Sequence, residues 1–419
     1  MAQRLAAKTV VVGLSGGIAC YKAADLVRQL RNAGARVRVV MTAHAREFIT
    51  PLTLQTLSGE PVSTDLFDLS EESEIGHIRL ADSADAIAIA PATANLIGKL
   101  AAGIADDLLT TILLATRAPV LIAPSMNVHM FENPVVQANL AKLGERGVRI
   151  VAPGVGFLAC GYEGPGRLAE PEVIVTELER ALAPQDLTGE RVLVSAGPNR
   201  ERIDPVRFLS NRSTGKMGYA LAAAAWRRGA EVVLVSGPTG LAAPHGVRRE
   251  QVNSAAEMLE AIRREIGAAT MIFMAAAVAD YTPAHPVAQK LKKAPGPLSL
   301  ELRRTADILA EIAPRKGSRF LVGFAAETED VAGNARRKLR EKGLDMIVAN
   351  DVGRSDAGFE VDTNSVLVIG PDGDEELPLA DKSAIADAIL DRAIAARRAK
   401  GKAGPRQIAD RRRRSAGRR

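Results

Sequence analysis

The sequence predicts an α/β protein built of two successive domains, each with a doubly wound, mainly parallel sheet. The chain has 419 residues, which is long for a single hydrophobic core. Its residues are 47% hydrophobic but only 3% aromatic, so aliphatic side chains supply most of the apolar content. Short β-branched runs alternate with amphipathic stretches along most of the chain, which is the pattern of repeated βα units.

The first half opens with a complete βαβ unit. Thr9 to Leu14 is a β-branched run, and Ser15-Gly16-Gly17 forms a turn. Ile18 to Asn32 is an amphipathic stretch that stops at Gly34, before a second strand from Arg36 to Met41. A crossover of this kind requires a parallel sheet. The pattern recurs as predicted strands over 86–90, 119–123 and 149–151 and as predicted helices from Ala92, after Pro134 and over 170–182.

A second series of βα units starts at Arg191, after a polar, turn-forming linker over residues 184–190. Its predicted strands are 191–195, 231–235, 270–274, 319–323 and 345–349, and its predicted helices are 215–228, 255–266, 305–313, 329–342 and 381–397. Segment 361–370 alternates in polarity and predicts an antiparallel edge strand. The proline-rich segment 280–300 interrupts the series and predicts a functional insertion. The predicted domains are therefore 1–183 and 191–396.

The positive charge of the chain is concentrated at its end. The formal net charge is +6, yet residues 397–419 contain eleven Lys and Arg and one acidic residue. This segment has no apolar periodicity and predicts a basic, disordered tail, for which a solvated terminus is favoured over a nucleic-acid contact. No nucleic-acid partner is expected.

A cytoplasmic location is expected, because nothing in the sequence indicates a membrane or a secretory route. No apolar run reaches the roughly 18 residues needed to span a bilayer. The start Met-Ala-Gln-Arg lacks the layout of a signal peptide. Cys20 and Cys160 are then expected to be free thiols.

Two loops at the carboxyl edge of the first predicted sheet are suited to a mononucleotide. The amides of Ser15-Gly16-Gly17 follow the first strand and open a helix, where they can cradle a phosphate. Thr93 and Asn95 add a hydroxyl and an amide after a later strand. A dinucleotide is less favoured, because the Gly-x-Gly-x-x-Gly spacing is absent and Met41-Thr42 stands where an acidic ribose partner is expected.

Three residues of the first half are candidates for chemistry. Cys160 lies on a glycine-rich loop without a second cysteine nearby, which leaves acid or nucleophile chemistry as the alternative to simple burial. His77 is a candidate base, because imidazole is the usual general base of enzymes, although a lone histidine is more often structural. Asn127 is either a substrate ligand or a turn residue before a helix.

The first half resembles the flavin-dependent cysteine decarboxylases. The motifs that carry the resemblance are Ser-Gly-Gly-Ile-Ala-Cys-Tyr-Lys (15–22), Gly-His-Ile (76–78), Pro-Ala-Thr-Ala-Asn (91–95), Asp-Asp-Leu-Leu (106–109), Pro-Ser-Met-Asn (124–127) and Ala-Cys-Gly-Tyr-Glu-Gly-Pro-Gly-Arg (159–167). The resemblance implies a flavodoxin-like domain that binds FMN through Ser15, Gly16, Gly17, Thr42, Thr93 and Asn95.

The resemblance also implies how the decarboxylation proceeds. FMN oxidises the substrate thiol toward a thioaldehyde, carbon dioxide leaves, and reduced flavin returns hydride to the resulting enethiolate. His77 is then the base of the oxidation step. Asn127 holds the substrate carboxylate, and Cys160 donates the final proton.

The second half resembles the phosphopantothenate–cysteine ligases, which implies a Rossmann-like domain. The motifs that carry this resemblance lie at 196–208, 210–218, 274–280, 305–309, 323–328 and 348–351, together with the segment around Lys290. The resemblance implies that CTP activates the carboxylate of 4′-phosphopantothenate as an acyl-cytidylate, which the amine of cysteine then attacks.

Each site residue of the second half takes its role from this resemblance. Asn211 grips the acyl-cytidylate, Lys290 supplies positive charge to the triphosphate, and Asp280 holds Mg²⁺. The predicted CTP ligands are Met274, Ala275, Ala276, Asp280, Lys290, Ala306, Asp307, Ile308, Leu309, Phe324, Lys338 and Lys342. The segment Ser213-Thr214-Gly215-Lys216-Met217 is not a phosphate loop of the Walker type, because Met217 follows the lysine.

Together the halves resemble the bacterial bifunctional enzymes of coenzyme A biosynthesis. The resemblance implies that the second half joins 4′-phosphopantothenate to cysteine and that the first half decarboxylates the product to 4′-phosphopantetheine. It also implies a homo-oligomer with trimeric decarboxylase units and dimeric ligase units. Two alternatives are a non-catalytic flavin-binding regulator and an enzyme that decarboxylates C-terminal cysteines of peptides. The first conflicts with the presence of His77, Asn127 and Cys160, and the second leaves the ligase half without a use.

Overall fold

The structure of the chain is a computed structural model that describes residues 3–66, 76–157, 161–293, 295–351, 353, 356, 358 and 360–402. The chain forms two compact units, the first ending at Pro184 and the second beginning at Gln185. Within the described ranges, no helix has the length and apolar character that crossing a membrane requires.

The first unit is a sheet with helices on both faces and a separate two-stranded ribbon. Its strands are β1 (Thr9–Leu14), β2 (Arg36–Met41), β3 (Val62–Ser63), β4 (Ala86–Ala92), β5 (Val120–Pro124), β6 (Arg149–Ile150), β7 (Gly154–Phe157) and β8 (Glu163–Arg167). Its helices are α1 (Ala23–Asn32), α2 (Pro51–Ser58), α3 (Gly76–Ser83), α4 (Ala94–Ala102), α5 (Leu108–Ala115), α6 (Val128–Glu132), α7 (Pro134–Glu145) and α8 (Pro171–Leu182).

The sheet of the first unit is parallel and has the order β3-β2-β1-β4-β5-β6. Without the two-residue edge strand β3, this is the 2-1-3-4-5 order of flavodoxin-like folds. Side chains of β1 alternate between two cores: Val10 and Val12 pack with α1 and α8, whereas Val11 packs with α4 and α5. The order reverses between β1 and β4, which opens a crevice at their carboxyl ends.

The predicted elements of the first unit are present, with local differences. The first predicted helix is divided into a 3₁₀ turn, Ile18–Lys22, followed by α1. The sequence did not predict α2, α3, α5, the two-residue strand β3 or the β7–β8 ribbon. The sequence of α5, LLTTILLA, is apolar on most sides and therefore has little helical periodicity. The ribbon is rich in Gly and Pro, which normally indicate loops.

The second unit repeats this architecture. Its strands are β9 (Arg191–Ala196), β10 (Arg200–Arg202), β11 (Phe208–Ser210), β12 (Glu231–Ser236), β13 (Arg248–Gln251), β14 (Met271–Met274), β15 (Tyr281–Pro283), β16 (Leu302–Arg304), β17 (Phe320–Glu327), β18 (Met346–Asp351), β19 (Thr363–Gly370) and β20 (Gly373–Asp381). Its helices are α9 (Lys216–Arg227), α10 (Ala255–Glu265), α11 (Ile308–Ile312), α12 (Val331–Glu341) and α13 (Lys382–Lys402).

The main sheet of the second unit has the order β13-β12-β9-β14-β17-β18-β19-β20. In this spatial order, the strands from β13 to β18 run parallel to their neighbours. Strand β19 is antiparallel to both of its neighbours, β18 and β20. Helices α9 and α13 pack on one face of the sheet, and α10, α11 and α12 pack on the other. The crevice of this unit therefore lies between β9 and β14, where the order reverses.

Three predictions for the second unit need correction. Segment 361–370 is antiparallel as predicted, but it is not the edge strand, because β20 pairs outside it. Residues 397–402 are not part of a disordered tail, since α13 continues to Lys402 and Arg397 lies 2.6 Å from Glu190. Residues 403–419 lie outside the described residues.

The linker predicted over 184–190 is also not a free connection. Leu187 is buried in the core of the second unit, and its N–H donates to the carbonyl of Arg228. The guanidinium of Arg228 is buried and pairs with Asp186 and Asp391. The hydrogen bonds to these two carboxylates raise the pKa of Arg228. These contacts place residues 185–190 in the second unit.

Candidate functional site

A cavity of about 960 Å³ opens in the first unit at the carboxyl ends of β1 and β4. The predicted flavin ligands Ser15, Gly16, Gly17, Thr42, Thr93 and Asn95 line this cavity, and so does Asn127. The sheet order explains why motifs distant in sequence meet here, because the crevice lies at the carboxyl ends of adjacent parallel strands.

Ser15 joins the two loops that form the floor of this cavity. Its hydroxyl donates to the carbonyl of Pro91 (2.8 Å) and accepts from the N–H of Thr93 (2.9 Å). Its carbonyl accepts from the thiol of Cys20 at 3.2 Å. Burial raises the pKa of this thiol. The Ser15 hydroxyl therefore stabilises the loops, and the backbone remains to contact a ligand.

The next two glycines differ in the space around them. A Cβ at Gly16 would lie 2.3 Å from Cβ of His44 and 2.8 Å from its carbonyl carbon, so a side chain there collides with the chain after β2. A Cβ at Gly17 would meet only Cγ2 of Thr93, at 3.6 Å. Gly16 allows the loop to pack closely, whereas Gly17 leaves an open surface toward the cavity.

Three polar residues of the cavity begin helical segments. Thr42 accepts a hydrogen bond from the N–H of Ala45, and Thr93 caps α4 by accepting from the N–H of Leu96. Asn127 caps α6, where its Oδ1 accepts from the N–H of His129 at 2.9 Å. These bonds fix each side chain at the rim of the cavity.

The structure describes only one of the two residues that are predicted to transfer protons. Cys160 lies outside the described residues. The ribbon strands that flank its loop contribute Phe157, Gly166 and Arg167 to the cavity wall. His77 is half-buried in the first turn of α3 and is not among the described residues that line the cavity. Within one chain, the structure therefore does not bring His77 to the predicted site.

Sequence reasoning missed a charged pair in this cavity. Nζ of Lys99 lies 2.7 Å from Oδ2 of Asp106, and both residues line the cavity. The hydrogen bond from Lys99 lowers the pKa of Asp106 below its ordinary value. The position of Asp106 in the Asp-Asp-Leu-Leu motif was the available signal.

A second cavity, of about 920 Å³, opens in the second unit at the carboxyl ends of its central strands. It brings together Asn211 and all the predicted CTP ligands except Lys290. These are Met274, Ala275, Ala276, Asp280, Ala306, Asp307, Ile308, Leu309, Phe324, Lys338 and Lys342. The residues come from segments after β14 and β16, from β17 and from α12.

Asn211 is held against the segment that follows β14. Its Nδ2 donates to the carbonyls of Ala277 and Val278, both at 3.1 Å. Thr305 fixes the other side of this segment, since its hydroxyl donates to the carbonyl of Ala279 and its N–H to that of Asp280. The side chain of Asp280 is left exposed at the cavity.

Lys338 on α12 and Lys342 directly after this helix each have an acidic partner. Nζ of Lys342 contacts the carboxylate of Asp307, and Nζ of Lys338 lies 3.9 Å from Glu327. Burial by itself raises the pKa of Asp307, but the hydrogen bonds from Lys342 and from the N–H of Ala310 outweigh it, so the net pKa is lowered. Asp307 stays ionised and holds Lys342 beside the cavity.

The structure does not place Lys290 in the cavity wall. Lys290 is exposed on the segment between β15 and β16, which is anchored to the turn between β10 and β11 instead. The buried carboxylate of Asp204 accepts from the N–H groups of Val206, Arg207 and Leu291. The predicted contact of Lys290 with a nucleotide therefore stays a prediction.

Cations that sequence reasoning missed line another part of the second cavity. They are Arg212, Lys216 and Lys382. Lys216 belongs to the Gly-Lys pair that does not match the Walker pattern, and Lys382 is the first residue of α13. Nothing in the local sequence relates them, because they meet only when α13 packs against α9.

Among the described residues, no three His, Cys, Asp or Glu side chains lie close enough to hold one ion together. An exposed carboxylate such as Asp280 suits Mg²⁺, which usually keeps several waters and binds through one or two carboxylates plus phosphate oxygens.

Comparisons with known proteins match both units. The family model described as Flavoprotein matches residues 2–183, and the model described as the C-terminal domain of the DNA/pantothenate metabolism flavoprotein matches residues 187–396. The chain is similar to the coenzyme A biosynthesis bifunctional protein CoaBC of Bacillus subtilis, at 51% identity over 91% of this chain and 96% of that protein.

Two further relatives agree in name. The corresponding protein of Escherichia coli K12 is 46% identical over 93% of this chain and 97% of that protein. The crystal structure of the C-terminal domain of a CoaBC protein is 44% identical, covers 50% of this chain and 97% of that chain, and has a TM-score of 0.44.

Proposed function

The chain belongs to the family of coenzyme A biosynthesis bifunctional proteins, and on this premise we propose that its first cavity binds FMN and its second binds CTP. The chain has the phosphopantothenoylcysteine decarboxylase and phosphopantothenate–cysteine ligase activities of this family. The observation that carries the proposal is that each unit has a cavity at the carboxyl edge of its sheet, lined by the motif residues of that unit.

The first cavity is suited to a flavin mononucleotide in volume and in chemistry. The open backbone at Gly17 and the capped loops of Thr42 and Thr93 supply N–H and hydroxyl groups for a phosphate. When bound, FMN supplies a reversible two-electron acceptor beside the substrate thiol. The reaction as a whole is redox neutral, because the substrate loses carbon dioxide and takes up one proton.

The residues of the first unit have separate tasks in this proposal. Asn127 holds the substrate carboxylate at the rim of the cavity, where its own cap bond fixes the side chain. Cys160 donates the proton, and Phe157 of the flanking ribbon excludes water. His77 acts as a base from another subunit of a homo-oligomer, since it does not line the cavity of its own chain.

The second cavity activates a carboxylate and then joins it to an amine. The carboxylate of 4′-phosphopantothenate attacks the α-phosphorus of CTP, and diphosphate leaves. The amine of cysteine then attacks the acyl carbon, CMP leaves, and one proton is released. Lys338 and Lys342 stabilise the negative charge of the nucleotide, Phe324 packs against its base, and Asn211 orients the acyl group.

The proposed roles of Asp280 and Lys290 and the expected location of the enzyme follow from the same chemistry. Asp280 holds Mg²⁺ together with phosphate oxygens and water. Lys290 reaches the triphosphate only if the segment between β15 and β16 moves. We expect the enzyme to act in the cytoplasm, where its thiols stay reduced.

The proposal is tested on the purified full-length chain. We expect flavin absorbance with FMN as the extracted chromophore. We also expect CMP, diphosphate and carbon dioxide in equal amounts when 4′-phosphopantothenate, cysteine, Mg²⁺ and CTP are supplied. Without cysteine, labelled diphosphate should exchange into CTP, because the acyl-cytidylate forms reversibly. A colourless protein after reconstitution with FMN, or the absence of diphosphate release with any nucleoside triphosphate, contradicts the proposal.

A further inference from the structure

The side chain of Thr239, on the loop that follows β12, lies between the loop after β9 and the start of α9. A Cβ at Gly197 would lie 3.0 Å from Cγ2 of Thr239, and a Cβ at Gly215 would lie 2.9 Å from the same atom. Both glycines have a positive φ, which residues with a side chain rarely adopt. The methyl group of Thr239 therefore fills the space beside both glycines and acts as a spacer between the loop and the helix.

A buried tyrosine fixes the orientation of this spacer. The hydroxyl of Thr239 donates to the phenol oxygen of Tyr219 at 3.1 Å and accepts from the N–H of Leu241 at 3.3 Å. The phenol oxygen also accepts from Nη1 of Arg249 (3.3 Å) and lies 3.0 Å from the hydroxyl of Ser236. Because the hydroxyl and the methyl of a threonine share one χ1 angle, bonds to the hydroxyl also fix the direction of the methyl.

The loop that Thr239 supports leads to a predicted catalytic side chain. The carbonyl of Gly197 accepts from the N–H of Ala277 at 3.0 Å. The carbonyl of Ala277 in turn accepts from Nδ2 of Asn211 at 3.1 Å. Ala277 and Asn211 line the second cavity, and Thr239 is not among its described lining residues. Thr239 is thus connected to Asn211 through Gly197 and Ala277, without facing the cavity itself.

The same methyl group supports the first turn of α9. Gly215 precedes this helix and lines the cavity, as does Gly218 in the first turn. The turn packs closely on β9, because a Cβ at Gly218 would lie 3.0 Å from the carbonyl oxygen of Ser195. A change in the spacer is therefore passed on to the loop that holds Asn211 and to the helix that forms part of the cavity wall.

We propose that Thr239 is a positioning residue of the ligase reaction and that it acts by fixing Asn211 through Gly197 and Ala277. The inference deepens the proposed function and rests on it, because it takes Asn211 as the group that orients the acyl-cytidylate. This group has to hold the intermediate until the amine of cysteine attacks. When it is displaced, water attacks the acyl carbon instead, which returns 4′-phosphopantothenate and releases CMP without forming an amide.

Small displacements are sufficient for this effect. A misplacement of about 1 Å in a positioned group can lower a rate about 100-fold. Removal of one buried methyl group leaves a gap that the surrounding atoms close only in part. The loss of the spacer therefore favours hydrolysis over amide formation while the fold is kept.

The test measures the amide formed per diphosphate released by the full-length enzyme, supplied with 4′-phosphopantothenate, cysteine, Mg²⁺ and CTP. The amide is counted as the ligation product plus its decarboxylated form. Thr239→Ser keeps the hydroxyl and removes the methyl, whereas Thr239→Val keeps the methyl and removes the hydroxyl. Thr188→Ser is the matched control, because Thr188 is exposed and its hydroxyl donates to the carbonyl of Gln185.

We expect the parent enzyme, Thr239→Val and Thr188→Ser to form one amide per diphosphate. In Thr239→Ser, amide formation should slow about tenfold or more, so that diphosphate release exceeds amide formation. A purely structural role of Thr239 gives another result, since fewer active molecules and a lower melting temperature leave the ratio at one.

A ratio of one in Thr239→Ser overturns the inference, and so does an equal loss of coupling in Thr239→Val and Thr239→Ser. Both results leave the proposed function intact, because the parent enzyme still releases diphosphate and forms the amide. A parent enzyme that releases no diphosphate refutes the proposed function and this inference together.

Discussion

Replacing Gly16 by alanine tests the packing on which the flavin cavity depends. The new Cβ would lie 2.3 Å from Cβ of His44 and 2.8 Å from its carbonyl carbon, so backbone atoms have to move. Forcing a methyl group into a packed site costs about 1–3 kcal/mol. In a domain of this size, that corresponds to a decrease of about 2–12 °C in melting temperature. If flavin binding must restore the loop, the same free energy weakens the flavin Kd about 5- to 150-fold.

Gly17→Ala is the matched control. Its Cβ would meet only Thr93, at 3.6 Å, and the backbone of Gly17 is extended, with φ at −161°. We expect the flavin-free protein to keep its melting temperature. Calorimetry of flavin-free protein and fluorescence titration with FMN measure the two effects. If both variants melt at the same temperature and bind FMN equally well, the loop does not need the close approach at Gly16, and the reasoning is refuted.

Two further predictions concern other parts of the chain. Cys160→Ser should purify with bound flavin yet form no 4′-phosphopantetheine; an undiminished rate of product formation, measured by mass spectrometry, removes Cys160 from the mechanism. Arg228→Met should lower the stability of the second unit by about 1–3 kcal/mol, because Asp186 and Asp391 lose their buried partner. The surface variant Arg336→Gln should cost less than about 1 kcal/mol in the same calorimetric experiment.

The sequence alone determined the two doubly wound sheets and the loops that end their strands. Ser15-Gly16-Gly17 and Thr93 follow strands of alternating β-branched residues, and a parallel sheet must carry such loops to one edge. Asn211 and the segment around Asp280 were identified through the resemblance to the ligases, and they line one cavity. The inferences about the sheets and their loops succeeded because each depends on a local periodicity and on the fixed direction of a crossover.

The tertiary structure decided which side chains remain free to act. The hydroxyl of Ser15 is used to join two loops, and Lys290 does not line the cavity, while the N–H of the next residue, Leu291, donates to Asp204. Arg212, Lys216 and Lys382 converge only through the packing of α9 against α13. Hydrogen-bond partners and burial depend on contacts between residues far apart in sequence, and no local pattern of residues encodes these contacts.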